Sequence, residues 1–398
     1  VGRRVLFLSA SVGVGHTAAA GAVQNALAAI EPGIEMQTVD SYRYAASIFS
    51  KVVADGYIGM VKTVPQLYRY IYDRAERSRD IPAFRRWVSQ YTASNLRALV
   101  DQRRPDLVVC THAFPCGVMS EYKRQFDPDL PVVGIVTDFV VHPFWIYTNI
   151  DAYAVATPEM GQALLARGVA RERIVVSGIP VDPRFGTRRL PVAELREALG
   201  LPVDRRIVLM MGGGLGIGPL DVMIRALGKV DVPLAGAIIV GRNSRLEKRV
   251  LAIAEHTDYP LRVVGFVDNV YDYMHASDVL LSKPGGLTSS EALSAELPMV
   301  LVKPLPGQEE RNTRYLTSRR AAIRARGERH LAQAVGEILT SPERRAQLAT
   351  SIAALRRPDA ARSVAERIVE LLDSRQPPNQ RAAGQELDER KYDRSAWS

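Results

Sequence analysis

Cysteine is nearly absent: only Cys110 and Cys116 occur in 398 residues. Two thiols cannot build a disulfide framework or a four-cysteine zinc site, so both are expected to be reduced core or loop residues. Long apolar runs are missing too. No stretch approaches the roughly 18–20 residues that cross a bilayer, and Val132–Val136 and Ala235–Val240 are only strand-sized. The opening Val1-Gly2-Arg3-Arg4-Val5-Leu6 enters a strand pattern without a signal-peptide cleavage site, which argues against a secreted or integral membrane protein. One Asp-x-Asp occurs, Asp127-Pro128-Asp129. Its middle residue is proline and it precedes a strand rather than ending one, so it reads as a turn and not as a metal-binding pair.

What is present fits a globular enzyme of two domains. Hydrophobic residues make up 47% and charged residues 24%, an ordinary folded balance. The length exceeds the roughly 250–300 residues at which one core stops growing. A net charge of +9 suits anionic partners: nucleic acid, acidic lipid or phosphorylated ligands. Charge alone does not choose among them.

Two similar halves follow one another. In the first, Arg3–Ser9 reads as a buried strand, followed by the Gly-rich turn Ser11-Val12-Gly13-Val14-Gly15-His16 and an alanine-rich helix. Further strands are expected at Glu35–Val39, Leu107–Thr111, Val132–Thr137, Ala152–Ala156 and Ile174–Ser177, with helical stretches between most of them. The second half repeats this. Strand Arg206–Met211 meets the turn 212–218 and the helix Leu220–Leu227, and strands follow at Ala237–Val240, Leu261–Val264, Val279–Ser282 and Met299–Val302. This alternation predicts α/β architecture with parallel, doubly wound sheets. Pro180, Pro183 and Pro191 mark a linker. The expected division is residues 1–185, residues 186–375 and a disordered tail over 376–398. One stretch, Ser41–Val100, lacks strands and carries ten Lys/Arg against four Asp/Glu among recurrent tyrosines. Such an insertion suits a membrane interface, and equally an ordinary solvated helical face.

Each motif has a chemical reading. Gly13 to Ala18 spells GxGxxA, which with Asp40 could be a dinucleotide fingerprint. His16 stands at the start of the helix, whose dipole disfavours the imidazolium and keeps a free base at neutral pH. A structural cap or a ligand-positioning histidine is the alternative. The turn holding Gly213 and Gly214 allows close backbone approach to a diphosphate and, lacking a final Gly-Lys-Ser/Thr, is not a P-loop. In Ser282-Lys283-Pro284-Gly285-Gly286-Leu287-Thr288-Ser289-Ser290-Glu291, a strand ends, two glycines turn, and Thr288 and Ser289 are expected to open a helix. Glu291, just inside it, can accept ribose hydroxyls. The loop Pro306-Gly307-Gln308-Glu309-Glu310-Arg311-Asn312 groups amides and carboxylates that suit sugar hydroxyls.

Taken in order, these pieces resemble the diacylglycerol glycosyltransferases of glycosyltransferase family 28, the group of monogalactosyldiacylglycerol synthase and the bacterial processive diacylglycerol glucosyltransferases. The matching stretches are SVGVGHTAAA at 11–20, VTDFVVHPFW at 136–145, SGIPVDPRF at 177–185, MMGGGLGIGP at 210–219, GRN at 241–243, GFVDNVYDYMHASD at 265–278, SKPGGLTSSEAL at 282–293 and PGQEERN at 306–312. The resemblance implies a GT-B fold: two Rossmann-like doubly wound domains facing an interdomain cleft. It implies an inverting transfer of glucose or galactose from a UDP-sugar to 1,2-diacylglycerol or a related lipid at an anionic membrane surface, on the cytoplasmic face. No metal or other cofactor and no nucleic-acid partner is expected. By the same resemblance Phe266 would contact the uracil, Glu291 the ribose, and the turns with Gly213, Gly214, Gly286, Thr288 and Ser289 the diphosphate. Gln308 and Glu309 would contact the sugar, with Asn312 supporting their loop. His16 would be the base, and Asp138, His142, Pro143 and Trp145 would lie on the acceptor side. The Pro284-Gly285-Gly286 spelling is similar to bacterial glucosyl enzymes, which favours UDP-glucose. Two other readings remain at this stage: a UDP-sugar epimerase of the same fold, and an NAD-dependent oxidoreductase resting on Gly13, Gly15 and Asp40.

Overall fold

The structure is a computed structural model that describes residues 2–10, 14–41, 96–212 and 219–374. The glycines Gly13, Gly213 and Gly214, residues 42–95 of the basic stretch, and the expected tail lie outside the described residues.

Twelve strands form two six-stranded parallel sheets among the described residues. The first holds β1 (Arg4–Ser9), β2 (Glu35–Asp40), β3 (Leu107–Cys110), β4 (Val132–Ile135), β5 (Ala152–Val155) and β6 (Ile174–Val176), in the order β2-β1-β3-β4-β5-β6. The second holds β7 (Arg206–Met211), β8 (Leu234–Ile239), β9 (Leu261–Val264), β10 (Val279–Ser282), β11 (Met299–Val302) and β12 (Ala322–Ala325), in the order β12-β11-β10-β7-β8-β9. Helices cover both faces, so β3, β4, β5, β8, β10 and β11 are buried along their whole length. That burial explains why they read as near-continuous Val/Ile/Leu runs rather than as alternating patterns.

The strand order decides where a ligand can sit. In an open parallel sheet the crevice opens at the carboxyl ends of the two strands where the order reverses. In the first sheet these are β1 and β3, which pair Leu8 with Cys110. In the second they are β7 and β10, which pair Met211 with Ser282. β1 and β7, the strands that precede the two Gly-rich sequences, therefore end at switch points. Thr111, just after β3, and Lys283–Gly286, just after β10, lie at the same points.

Cys110 and Cys116 are buried free thiols, as composition predicts. Asp127 closes a turn, its Oδ1 accepting from the amides of Asp129 and Leu130 at 3.1 Å each, as the proline-centred pair predicts.

Among the described residues the chain passes between the lobes twice. It crosses after β6, through the single turn Pro183–Phe185. It crosses back after the helix Pro342–Leu355, because the helix Ala360–Asp373 packs on the first sheet, beyond the boundary that the linker prolines mark. Val364, Ala365, Ile368 and Leu372 form one apolar stripe on that helix and join Val5, Phe7, Leu27 and Leu107 in a common core. The two crossings touch. A Cβ built on Gly178, where φ is +93°, would lie 2.5 Å from Cβ of Arg357, so only glycine permits this approach.

Candidate active site

His16 lies in the first turn of the helix Val14–Ile30, and the β1–β3 pairing brings it against the residue that follows β3. Its Nδ1 is 2.9 Å from the Thr111 carbonyl oxygen and 3.0 Å from the Thr137 hydroxyl. A carbonyl only accepts, so Nδ1 carries the proton and Nε2 keeps the lone pair. Burial pushes the His16 pKa down to about 4, against the opposing pull of the Thr111 carbonyl. The ring is therefore neutral at physiological pH. His112 meets it edge-on, with centroids 4.8 Å apart, and is itself held well below the ordinary histidine range by burial and then by His16.

The opposing lobe presents the helix Gly286–Ser294, which starts two residues earlier than the sequence predicts. Gly285 is its N-cap and supplies no side-chain acceptor, so the first-turn amides of Gly286, Leu287 and Thr288 are available to an anion. Thr288 and Ser289 thus stand inside the first turns rather than at the cap, and Glu291 sits two residues further along the helix than expected. The early start depends on Gly286. A Cβ there would fall 1.9 Å from the Thr137 carbonyl oxygen of the other lobe. The hydroxyls of Ser282 and Ser289 are buried and have no hydrogen-bond partner among the described residues, which is how polar groups look when a ligand completes them.

Glu291 is partly buried, and burial pushes its carboxyl up to about 7, with the charge of Asp182 adding to the effect. Asp182 is gripped by Arg184 through Oδ1–Nε at 3.0 Å and Oδ2–Nη2 at 2.7 Å, and against the effect of its burial this fork keeps it below the usual carboxylate range. Arg184 in turn donates to the Tyr271 hydroxyl at 2.8 Å and stacks on its ring.

Gln308 and Glu309 do not lie in a loop: they begin the helix Gln308–Ser318. Glu309 accepts from the Leu305 amide at 2.6 Å and pairs with the buried ammonium of Lys283 at 3.1 Å. Asn312 is fully buried at the lobe junction, where it meets Asp138. Burial lifts the Asp138 carboxyl to about 6; the Asn312 bond opposes this and the charge of Glu309 adds to it. Phe266 is 56% exposed, with the Arg242 guanidinium 4.0 Å above its ring.

The acceptor-side residues separate. Asp138 reaches the junction. His142 is buried and caps the turn Pro143–Trp145, its Nδ1 accepting from the Phe144 amide at 3.2 Å. Trp145 belongs to the core of the first lobe, and its carbonyl accepts from the Tyr153 hydroxyl at 2.7 Å.

Sequence reasoning missed Thr111, Thr137, Lys283 and Arg242 as site residues. The first three each follow closely on the carboxyl end of a strand, the position where parallel sheets carry their chemistry. Arg242 follows β8 in the same way, and only the stacked ring beside it makes it conspicuous.

Known proteins resemble this chain along most of its length. Residues 16–181 match the monogalactosyldiacylglycerol (MGDG) synthase family and residues 192–353 match glycosyl transferases group 1. A processive diacylglycerol beta-glucosyltransferase of Bacillus cytotoxicus is 29% identical over 370 residues, 92% of this chain and 93% of the relative. Its counterpart in Bacillus subtilis is 28% identical over 345 residues, 86% of this chain and 88% of the relative. Among solved structures, MurG of Acinetobacter baumannii superposes with a TM-score of 0.59 at 17% identity, covering 92% of this chain and 99% of that one. Anabaena Alr3699/HepE in complex with UDP-glucose gives 0.53 at 14% identity, covering 94% and 100%. These likenesses carry the fold: two Rossmann-like lobes in the GT-B arrangement. The chain thus carries a domain matching monogalactosyldiacylglycerol (MGDG) synthase over residues 16–181 and one matching glycosyl transferases group 1 over residues 192–353, and along nearly its whole length it is similar to processive diacylglycerol beta-glucosyltransferases.

Proposed function

We propose that this protein is an inverting glycosyltransferase that moves a hexose, glucose in preference to galactose, from a UDP-sugar to the free hydroxyl of 1,2-diacylglycerol. The observation that carries the reading is the opposition of a neutral histidine on one lobe to an uncapped helix N-terminus on the other, joined through Thr137 and Gly286.

Each side has one task. Nε2 of His16 takes the proton of the acceptor hydroxyl as its oxygen attacks the anomeric carbon. A positioned base of this kind typically contributes 10²–10⁴-fold. UDP leaves from the opposite face, so an α-linked donor gives a β-glycoside. The charge growing on the diphosphate is met by the first-turn amides of Gly286, Leu287 and Thr288 and by the hydroxyls of Ser282 and Ser289, with the turn of Gly213 and Gly214 assigned to the same task. Groups fixed in place before the reaction need no reorganisation as the charge develops. Glu291 holds the ribose, Phe266 the uracil, and Gln308 with Glu309 the sugar. Amides and helix dipoles supply the counter-charge, so this scheme calls for no metal, and turnover in EDTA should equal turnover without it.

The acceptor is a lipid, and no helix among the described residues is long and apolar enough to cross a membrane. Docking from the cytoplasmic face is the route this reading requires. The basic stretch Ser41–Val100, with a net charge of +6, would add about 1 kcal/mol per Lys/Arg near an anionic leaflet. Arg311–Arg329 is the second basic segment assigned to that surface.

The test incubates the pure protein with UDP-glucose or UDP-galactose and vesicles of diacylglycerol, with and without anionic lipid, followed by mass analysis of the lipid. A hexosyl-diacylglycerol with stoichiometric UDP is the expected product. Conversion of the UDP-sugar without UDP release would instead make the protein an epimerase, and protection against melting by NAD but not by UDP would make it an oxidoreductase.

A further inference from the structure

Asn312 stands where three parts of the site meet. Its Oδ1 accepts from the Phe139 amide at 3.0 Å, and its Nδ2 donates to Asp138 Oδ1 at 2.9 Å and to the Pro284 carbonyl at 3.1 Å. The side chain is 1% exposed. Both amide hydrogens and the amide oxygen are thereby engaged, with none left to reach a sugar hydroxyl.

Those partners are not equivalent. Pro284 belongs to the turn that opens the helix Gly286–Ser294. Asn312 itself lies one turn after Gln308 and Glu309 on their own helix. Asp138 and Phe139 belong to the other lobe, directly after Thr137, whose hydroxyl is 3.0 Å from Nδ1 of His16. Phe139 is further held by the Tyr315 ring, stacked at 5.3 Å and nearly parallel at 10°, one turn beyond Asn312. The same short segment, 137–139, therefore touches the base at one end and is gripped from the donor-side lobe at the other.

We infer that Asn312 is a positioning residue that couples the two lobes. By clasping Asp138 and Phe139 it sets the Thr137 hydroxyl against Nδ1 of His16, so that the aim of the base, whose tautomer the Thr111 carbonyl fixes, depends on the lobes being engaged. This rests on the reading of His16 as the base. Asn312 touches neither the reacting carbon nor the acceptor. It acts through Thr137, and its loss misaims a group whose placement within about 1 Å governs rates by up to 10²-fold.

The experiment measures kcat, KM for UDP-glucose, the Kd of UDP, and the His16 imidazole ¹⁵N and ¹H resonances in wild type, Asn312→Ala and Thr137→Val, with His16→Gln supplying the assignment. Asn312→Ala should lower kcat about 10–100-fold, leave the Kd of UDP within about 3-fold, and broaden or shift the His16 Nδ1–H signal. Thr137→Val should lower kcat and disturb the same signal with UDP affinity intact, while Thr137→Ser, which restores a hydroxyl, should recover most of the turnover. If Asn312→Ala does not fold, Asn312→Ser takes its place under the same criteria. Two results overturn the inference: an unchanged kcat with an unchanged His16 signal, or a loss of UDP affinity matching the loss of kcat, which would make Asn312 a donor ligand. Failure of the underlying reading looks different: His16→Gln would then keep wild-type turnover whatever Asn312 does.

Discussion

The Nδ1 atom of His16 lies 2.9 Å from the carbonyl oxygen of Thr111. That contact joins the first helix to the end of β3 and leaves Nε2 as the basic nitrogen. The proposed base is thus prepared by the backbone, without a carboxylate partner in direct contact with Nδ1 among the described residues.

Removing the imidazole should cost turnover and little else. His16→Gln is expected to reduce kcat by about 10²–10⁴-fold, with the melting temperature and the Kd of UDP close to wild type. Stopped assays on vesicle-bound diacylglycerol together with calorimetry of UDP binding would measure both.

The same ring should titrate far below an ordinary histidine. Burial favours the neutral form, so protonation is expected only as the pH falls through about 4. An NMR titration of the His16 ring with a midpoint near 6.5 would mean that water reaches it freely, contrary to this structure.

Glu291 gives the opposite sign. Its carboxyl is raised from the ordinary 4.5 to about 7, chiefly by burial. Ionising it therefore costs folding free energy; the cost is absent below about pH 4.5 and complete above about pH 7. Glu291→Gln should raise the melting temperature by about 2–4 °C at pH 8 and change it little at pH 4. The ionised carboxylate is the stronger acceptor for ribose hydroxyls. UDP should accordingly bind more tightly as the pH rises through about 7 in the wild type, and the Gln variant should lose that dependence. A Kd of UDP that ignores both pH and the substitution would remove Glu291 from the ribose site.

Gly286→Ala tests the lobe contact. The added methyl would sit 1.9 Å from the Thr137 carbonyl, so the donor helix or the 137–139 segment must move. Overpacking of this kind costs about 1–3 kcal/mol. Activity should fall by more than the stability loss explains, because the shift acts on the segment that holds His16. Thermal melts and kcat measured on the same preparation separate the two effects.

Lys283→Met should leave Glu309 without its buried cation while conserving bulk. Breaking such a pair exposes an uncompensated buried charge. We expect KM for UDP-glucose to rise about 10-fold with the Kd of UDP nearly unchanged, since Glu309 is assigned to the sugar and not to the nucleotide. Equal losses for UDP and UDP-glucose would place Lys283 on the diphosphate instead.

Most of the architecture was legible before any coordinates. Buried parallel strands are dense in Val, Ile and Leu, and β7, β9, β10 and β11 begin and end where those runs do. β12 was invisible because Ala322–Ala325 is short, poor in β-branched residues and flanked by arginines. The site was legible as residue types but not as partners. Glu291 and His16 stand out by chemistry near the starts of the helices that follow β10 and β1. Thr111 and Thr137 do not, because their role comes from β1, β3 and β4 lying side by side, which is a property of strand order and not of local sequence. The start of the helix at Gly286 was misplaced for a related reason. Thr288 and Ser289 are good caps in isolation, yet a glycine two residues earlier wins by fitting beneath another lobe.

The return of the helix Ala360–Asp373 to the first sheet gives the molecule two adjacent straps instead of one. A single strap would let the halves twist about it; a pair pressed together at Gly178 and Arg357 resists that twist. Deleting that last helix would thus do more than bare an apolar groove beside Phe7 and Leu27. It would free the halves to swivel, and the His16 ring and the helix that starts at Gly286, which meet through Thr137 from opposite halves, would lose their alignment.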